Sequence, residues 1–138
     1  MKTSFSVPCK TESLASIRMF VREQLKELHF SEKDKYQIVL AVDEACANAI
    51  IHGNKCDAVR QLSIEWVVSK ISLKIRIQDV GSFPKNIKPV IDIQKHIKLK
   101  QKGGLGLFII HSIMDDVEFF NEQNHQICQL TKKIYFSI

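Results

Sequence analysis

Apolar residues recur every three or four positions in two stretches of the chain, which indicates two amphipathic helices. In the first stretch, residues 11–28, Thr11 is placed to cap the N-terminus of the helix. In the second stretch, residues 32–52, apolar positions surround nearly the whole helix, with Ser31 before it as a cap and Gly53 after it as a stop. The second helix is therefore predicted to be buried on most of its sides.

Alternating apolar and polar residues predict strands in the rest of the chain. The predicted strands are residues 3–8, 61–69 and 73–79, and residues 117–136 are predicted to form a hairpin. A third helix should begin at the glycine-rich "GGLG" and end near Met114. Strands and helices mix without regular βαβ alternation. This favours an α+β fold, a two-layer α/β sandwich in which helices cover one face of a mostly antiparallel sheet.

The second helix carries one narrow polar stripe on its otherwise apolar surface. At about 100° per residue, with Glu44 at zero, Gln37 lies at about 20°, Asn48 at about 40° and His52 at about 80°. Buried polar groups need partners, so the stripe faces either a cleft that holds a polar ligand or plain solvent. A carboxylate and an amide one turn apart can hold hydrated Mg²⁺ or position a nucleophile. We interpret His52 as a packing residue at the helix end.

Two further motifs suit ligand contacts. Asp79 continues the apolar face of residues 73–77, where it either bonds to turn amides or accepts a hydrogen bond from a ligand amino group. Gly81 would let the backbone approach that ligand closely. The glycines of residues 103–106 leave free N–H groups at a helix start, which suits a phosphate but also suits an ordinary turn.

Size and composition limit the possible classes of protein. The 138 residues, 45% of them hydrophobic, are expected to form a single domain over residues 1–138. No apolar run is long enough to span a bilayer, and the N-terminus lacks a signal peptide, so we expect a cytoplasmic protein without a membrane partner.

The net charge of +5 resides in one segment. Residues 82–102 contain six lysines and one acid, Asp92, and this excess of five equals that of the whole chain. A single lysine-rich loop suits a compact polyanion such as a triphosphate, and for most of these lysines it equally suits an ordinary solvated surface loop. No direct nucleic-acid partner is expected, because the basic residues have no interleaved aromatic platform.

The order of these motifs resembles that of the GHKL (Bergerat) ATP-binding fold. Within that fold, "VDEACANAIIHG" and "GGLGLFIIHSIMDDVEF" are similar to the bacterial anti-sigma factor serine kinases of the RsbW and sporulation type. The resemblance covers the chain from about residue 5 to its end. It implies an ATP- and Mg²⁺-dependent protein-serine kinase. Its implied partners are a sigma factor and an anti-anti-sigma (STAS-type) protein that receives the phosphate, and it implies a homodimer.

The resemblance also implies roles for individual residues. Asn48 corresponds to the asparagine that ligates Mg²⁺, and Glu44 to the base that activates the attacking hydroxyl. Asp79 corresponds to the acceptor of the adenine amino group, with Gly81 beside it. The loop that cradles the phosphates corresponds to Gly103, Gly104, Leu105 and Gly106. Lys100 and Lys102, at the end of a lid over residues 82–102, are expected to add positive charge near the phosphates.

One departure leaves an alternative open. "DVGSFP" places Phe83 and Pro84 where the family usually has a second glycine, which would stiffen the start of the lid. The alternative function is a nucleotide-dependent binding module of the same fold that holds a partner without phosphorylating it. The ATP-binding half of a sensor histidine kinase is a third interpretation, which we rank below both because we find no phospho-acceptor region ahead of the domain.

Overall fold

The computed structural model describes residues 1–53, 60–79, 105–123 and 125–134. The strands are β1 (Lys2–Pro8), β2 (Gln61–Val68), β3 (Ser72–Asp79), β4 (Asp116–Glu122) and β5 (His125–Lys133). The helices are α1 (Leu14–Leu25), α2 (Glu32–Asn48) and α3 (Leu105–Ile113). A 3-10 turn, Thr11–Ser13, precedes α1, and a π-helical turn, Ala49–Gly53, continues α2.

The five strands form one sheet in the order β1-β2-β3-β5-β4, and each of the four pairings is antiparallel. The alternation of apolar residues in β3 places Leu73, Ile75 and Ile77 in the core, while Lys74 between them is exposed. The buried residues of α1 and α2 join the same core cluster. The predicted two-layer α+β architecture is thus confirmed.

The largest buried side chain of the core is Trp66 on β2, which is 1% exposed. Its ring meets the ring of Phe20 edge to face at 6.3 Å, and Phe20 in turn stacks on Phe5 of β1 at 4.7 Å. These contacts fix α1 over the β1–β2 side of the sheet. Cys46 on α2 is fully buried, and this burial raises the pKa of its thiol well above the usual value. Cys46 is therefore an inert core residue.

The two predicted helix caps have different outcomes. The Ser31 hydroxyl accepts a hydrogen bond from the backbone N–H of Asp34 at 3.0 Å, so Ser31 caps α2 as predicted. The prediction that Thr11 caps the first helix is wrong, because Thr11 begins the 3-10 turn and α1 starts at Leu14. The Ser13 hydroxyl donates to the carbonyl of Pro8 at 2.7 Å, which ties this turn to the end of β1.

An ion pair joins α1 to α2. Nη1 of Arg18 lies 2.7 Å from Oδ1 of Asp43, and the two side chains are 36% and 23% exposed. Replacing Asp43 with asparagine should lower the free energy of unfolding by about 0.5–1 kcal/mol, because the pair is only partly screened by solvent. Urea denaturation measures this change. The matched control is Glu23→Gln, since Glu23 pairs with Lys26 on the surface at 68% exposure and should leave stability unchanged. Equal midpoints for the two variants would contradict the prediction.

Within the described ranges, no helix combines the length and the apolar character that crossing a membrane requires.

Candidate functional site

The polar stripe of α2 lies at the boundary between core and surface. Glu44, Asn48 and Gln37 are all half-buried, whereas Ala41, which occupies the same sector of the helix, is completely buried. The side chains on the opposite side of α2, Ile38, Val42 and Cys46, are also fully buried. Because Ala41 is covered, the stripe is not simply a solvent-facing surface. The Glu44 carboxylate and the Asn48 amide are thus carried by a helix whose other sides are fixed by packing.

The end of α2 departs from regular α-helical geometry immediately after Asn48. Residues Ala49–Gly53 form a π-helical turn, and the N–H of Ala49 is shared between the carbonyls of Ala45 and Cys46. The predicted helical stretch to residue 52 is thus helical throughout but changes its winding at residue 49. The angular position that an ideal α-helix assigns to His52 does not apply after this change. π-Turns inside helices are frequent at functional sites.

The first turn of α3 approaches α2 at Glu44. A Cβ added to Gly106 would lie 2.6 Å from Oε2 of Glu44 and 3.6 Å from its Cδ, so the absence of a side chain at residue 106 makes room for this carboxylate. Gly106 itself is buried. Two predicted site residues that are 62 positions apart in the sequence, Glu44 and Gly106, are therefore in direct contact. The positive end of the α3 dipole is located at this contact.

The remaining predicted site residues are only partly covered by the described ranges. Asp79 is the last residue of the central strand β3, and its backbone lies opposite Leu62 of β2 in the register, but its side chain is outside the description. Leu105 is the first residue of α3, as the glycine-rich helix start predicts. The other predicted residues, Gly81, Lys100, Lys102, Gly103 and Gly104, and the lid over residues 82–102, lie outside the described residues.

The side-chain oxygens of Glu44 and Asn48 fit a metal ion only if a bound ligand supplies most of the coordinating atoms. In the part of the chain that the structure describes, no group of three or more His, Cys, Asp or Glu side chains could hold a metal ion. Mg²⁺ commonly takes one or two protein oxygens together with phosphate oxygens and water. The Asn48 amide oxygen, one turn after Glu44 on a half-buried surface, meets that lesser requirement.

The structure adds two polar contacts around the site that the sequence motifs do not indicate. Asp43, the neighbour of Glu44, pairs with Arg18 of α1. Lys132 of β5 donates from Nζ to the carbonyl of Ile113, the last residue of α3, at 2.8 Å. A sequence signal for Lys132 exists, since it continues the core-facing alternation of Cys128 and Leu130 on β5.

Comparisons of the chain with known families, proteins and structures agree on one family. A family model described as "Histidine kinase-like ATPase domain" matches residues 7–132. The serine-protein kinases RsbW of Bacillus thuringiensis (strain Al Hakam) and Bacillus cereus (strain 03BB102) are each 30% identical to the chain, over 96% of its length and 85% of theirs. The corresponding protein of Bacillus mycoides (strain KBAB4) is 28% identical over the same shares of the two chains.

Two solved structures share the fold at low sequence identity. The RsbU and RsbW domains of a Mycobacterium tuberculosis protein match with a TM-score of 0.68 at 15% identity, covering 97% of this chain and 32% of that chain. The SiaB–SiaC complex of Pseudomonas aeruginosa matches with a TM-score of 0.60 at 13% identity, covering 96% of this chain and 89% of that chain. Over the described residues, the five-stranded antiparallel sheet and its three helices have the GHKL-like fold that the motif order predicts. The chain belongs to the histidine kinase-like ATPase domain family, as a homologue of the RsbW serine-protein kinases.

Proposed function

We propose that the protein is an ATP-dependent protein-serine kinase that also acts as an anti-sigma factor in a partner-switching circuit. The observation that carries the proposal is the contact between the Glu44 carboxylate and Gly106 at the first turn of α3. It brings a candidate proton acceptor to a helix start that is suited to phosphate. The curated relatives are serine-protein kinases by name, which supports the same acceptor chemistry.

The nucleotide would occupy the region between α2 and the first turn of α3. In this proposal Asn48 would hold Mg²⁺, and the ion would supply positive charge to the phosphates. The backbone N–H groups of residues 103–106 bind the phosphates, with Lys100 and Lys102 adding positive charge. Asp79, the last residue of the central strand, would accept a hydrogen bond from the adenine amino group, and Gly81 would let the backbone approach the base closely.

The proposed reaction forms one bond and breaks one bond. The serine hydroxyl oxygen of the acceptor protein attacks the γ-phosphorus, and the bond from that phosphorus to the β–γ bridging oxygen breaks to release ADP. Glu44 accepts the proton of the attacking hydroxyl, so charge does not accumulate on the serine oxygen. Since phosphoryl transfer needs little covalent work from the protein, the main task of these residues is positioning. The buried faces of α2 supply the rigidity that this task needs.

The partners in this proposal are proteins. A STAS-type anti-anti-sigma protein would be the phosphate acceptor and a sigma factor the sequestered client, in the cytoplasm and without direct nucleic-acid contact. The active form would be a homodimer. Partner exchange would couple ATP use to the release or capture of the sigma factor.

A nucleotide-dependent binding module is the second candidate function. The observation that favours it is the pair Phe83 and Pro84 after Gly81, where the resembling family has a second glycine. A stiffer start of the lid would slow closure over the nucleotide while leaving nucleotide binding possible. This candidate predicts ATP binding without phosphate transfer.

Replacing Asp79 with asparagine tests the nucleotide site. Calorimetric titration with Mg-ATP should give an affinity at least roughly tenfold weaker than in the unaltered protein, because a charge-assisted hydrogen bond to the adenine amino group is lost. The ratio of the affinities for ATP and GTP should fall, since guanine carries a carbonyl in place of that amino group. The control is Asp116→Asn, the same substitution at an exposed residue of β4.

Incubation with γ-labelled ATP and the anti-anti-sigma protein of the same organism then distinguishes the two functions. Label on a serine of that protein supports the kinase. ATP binding without label on the acceptor favours the binding module. Absence of ATP binding in the unaltered protein would overturn both proposals.

A further inference from the structure

A lysine occupies a core-facing position of β5. The residues of β5 that face the helices alternate, and Lys132 follows Cys128 and Leu130 in this series. Directly across the ladder from Lys132 lies Leu73, which is completely buried. Lysine is among the residues least often buried, and its ammonium needs a partner where solvent is reduced. The position of Lys132 therefore demands a specific acceptor.

The acceptor is the C-terminal end of α3. Nζ of Lys132 donates a hydrogen bond to the carbonyl of Ile113 at 2.8 Å in a partly buried setting. The last carbonyls of a helix lack partners inside the helix, and they form the negative end of its dipole. A cation at this point satisfies one such carbonyl and complements the dipole.

Backbone contacts reinforce the same attachment. The N–H of Asp115 donates to the carbonyl of Thr131 at 2.9 Å, and the N–H of Lys133 donates to Oδ2 of Asp115 at 2.6 Å. Three hydrogen bonds thus attach the end of α3 to β5, and among these three only the bond from Lys132 uses a charged donor.

The opposite end of α3 contacts Glu44. The helix has nine residues, from Leu105 to Ile113, and spans roughly 13 Å at about 1.5 Å per residue. Ile110, near its middle, is fully buried. Because the helix is short and contains no proline that would kink it, we expect a displacement at Ile113 to shift Gly106 as well. The place of Gly106 limits where the Glu44 carboxylate can lie.

We propose that Lys132 is a positioning residue for Glu44, because it holds the C-terminal end of α3 on β5 and thereby fixes Gly106 against the Glu44 carboxylate. This inference rests on the proposed kinase function. It adds to that function a residue on the far side of α3 that touches neither nucleotide nor acceptor. Displacements of about 1 Å at a reacting group can reduce a rate by about 10²-fold, so a modest shift of α3 is sufficient.

The test compares Lys132→Met with Lys133→Met. Both variants lose one positive charge at adjacent positions of β5, but the Lys133 side chain is exposed and only its backbone contacts Asp115. Lys132→Met should lower the rate of phosphate transfer from labelled ATP by roughly tenfold or more, and amide hydrogen exchange in α3 should become faster. Lys133→Met should match the unaltered protein in both measurements. Lys132→Arg, which keeps the charge, should recover most of the rate.

A double-variant cycle separates positioning from loss of stability. In a Glu44→Gln background, Lys132→Met should change the residual rate less than about twofold, since the carboxylate that Lys132 positions is already absent. An equal reduction in both backgrounds would overturn the inference, as would a Lys132→Met variant that behaves like Lys133→Met. If Lys132→Met fails to fold, Lys132→Gln takes its place in the same cycle.

The two proposals fail in different ways. If the unaltered protein binds ATP but transfers no phosphate, the kinase proposal fails, while the exchange rates of α3 still report whether Lys132 holds the helix. If the unaltered protein transfers phosphate and the rate is insensitive to Lys132, only the positioning role is lost.

Discussion

Replacing Glu44 with glutamine should reduce phosphate transfer to the acceptor serine by roughly 10²- to 10⁴-fold, the usual contribution of a proton acceptor in a transition state. Glutamine keeps the size of the side chain and its contact with Gly106, but it cannot accept the serine proton at neutral pH. The affinity for Mg-ATP, measured by calorimetry, should therefore change little. The rate is measured from labelled phosphate on the acceptor under single-turnover conditions, which isolates the chemical step from product release.

The chain provides a matched control one residue away. Asp43→Asn removes the carboxylate charge of the adjacent residue, but Asp43 pairs with Arg18 of α1, whereas Glu44 contacts Gly106 of α3. This variant should transfer phosphate at nearly the unaltered rate. If Glu44→Gln retained the full rate, Glu44 would not be the base. If both variants lost the rate equally, the loss would follow from the general negative charge of α2.

Replacing Gly106 with alanine should separate activity from stability. The added Cβ would lie 2.6 Å from Oε2 of Glu44, a distance that forces the carboxylate to move. The end of a glutamate side chain can move at little cost to folding, and alanine favours a helix over glycine by about 1 kcal/mol. The melting temperature should thus stay the same or rise, while transfer should fall by roughly 10²-fold because the proton acceptor is displaced.

Two further variants test this explanation for Gly106. Ser112 occupies an exposed position of the same helix, so Ser112→Ala should change the transfer rate and the melting temperature only slightly. Glu44→Asp shortens the carboxylate by one methylene, so adding Gly106→Ala to it should cost much less than in the unaltered protein. If Glu44→Asp and Gly106→Ala reduced the transfer rate by independent factors that multiply, the contact between residues 44 and 106 would not be the cause of the reduction. A large fall in melting temperature for Gly106→Ala would show the same.

The layout of strands and helices could be predicted because it depends on local patterns. The alternation in β3 and the hydroxyl cap at Ser31 act over two to four residues, and both are found in the structure. The start of α1 could not be predicted, because Ser13 bonds to Pro8 and this contact depends on where β1 ends. The π-turn after Asn48 likewise has no periodic signature that distinguishes it from the end of an α-helix.

The candidate site could be predicted from the sequence only in part, for the same reason. Glu44 and Asn48 stand out as polar residues in an apolar helix, so their shared stripe is a local property. The contact between Glu44 and Gly106 joins distant parts of the chain and follows from the packing of α3 on α2. Lys132 continues the core-facing alternation of β5, but lysine is ordinarily a surface residue near a strand end, so its contact with α3 becomes evident only from the packing of the two elements.

The strand order β1-β2-β3-β5-β4 has a consequence for how the chain folds. The β2–β3 and β4–β5 pairs are hairpins that close over short distances, but β1 joins β2 through pairs such as Lys2 with Val67, and β3 joins β5 through pairs such as Ser72 with Lys133. Each of these two seams must close a loop of about fifty residues before it gains any hydrogen bond, because the innermost pairs are Pro8 with Gln61 and Gln78 with Ile127. High contact order of this kind slows folding, so the hairpins and helices should assemble first and the two seams should form the rate-limiting nucleus.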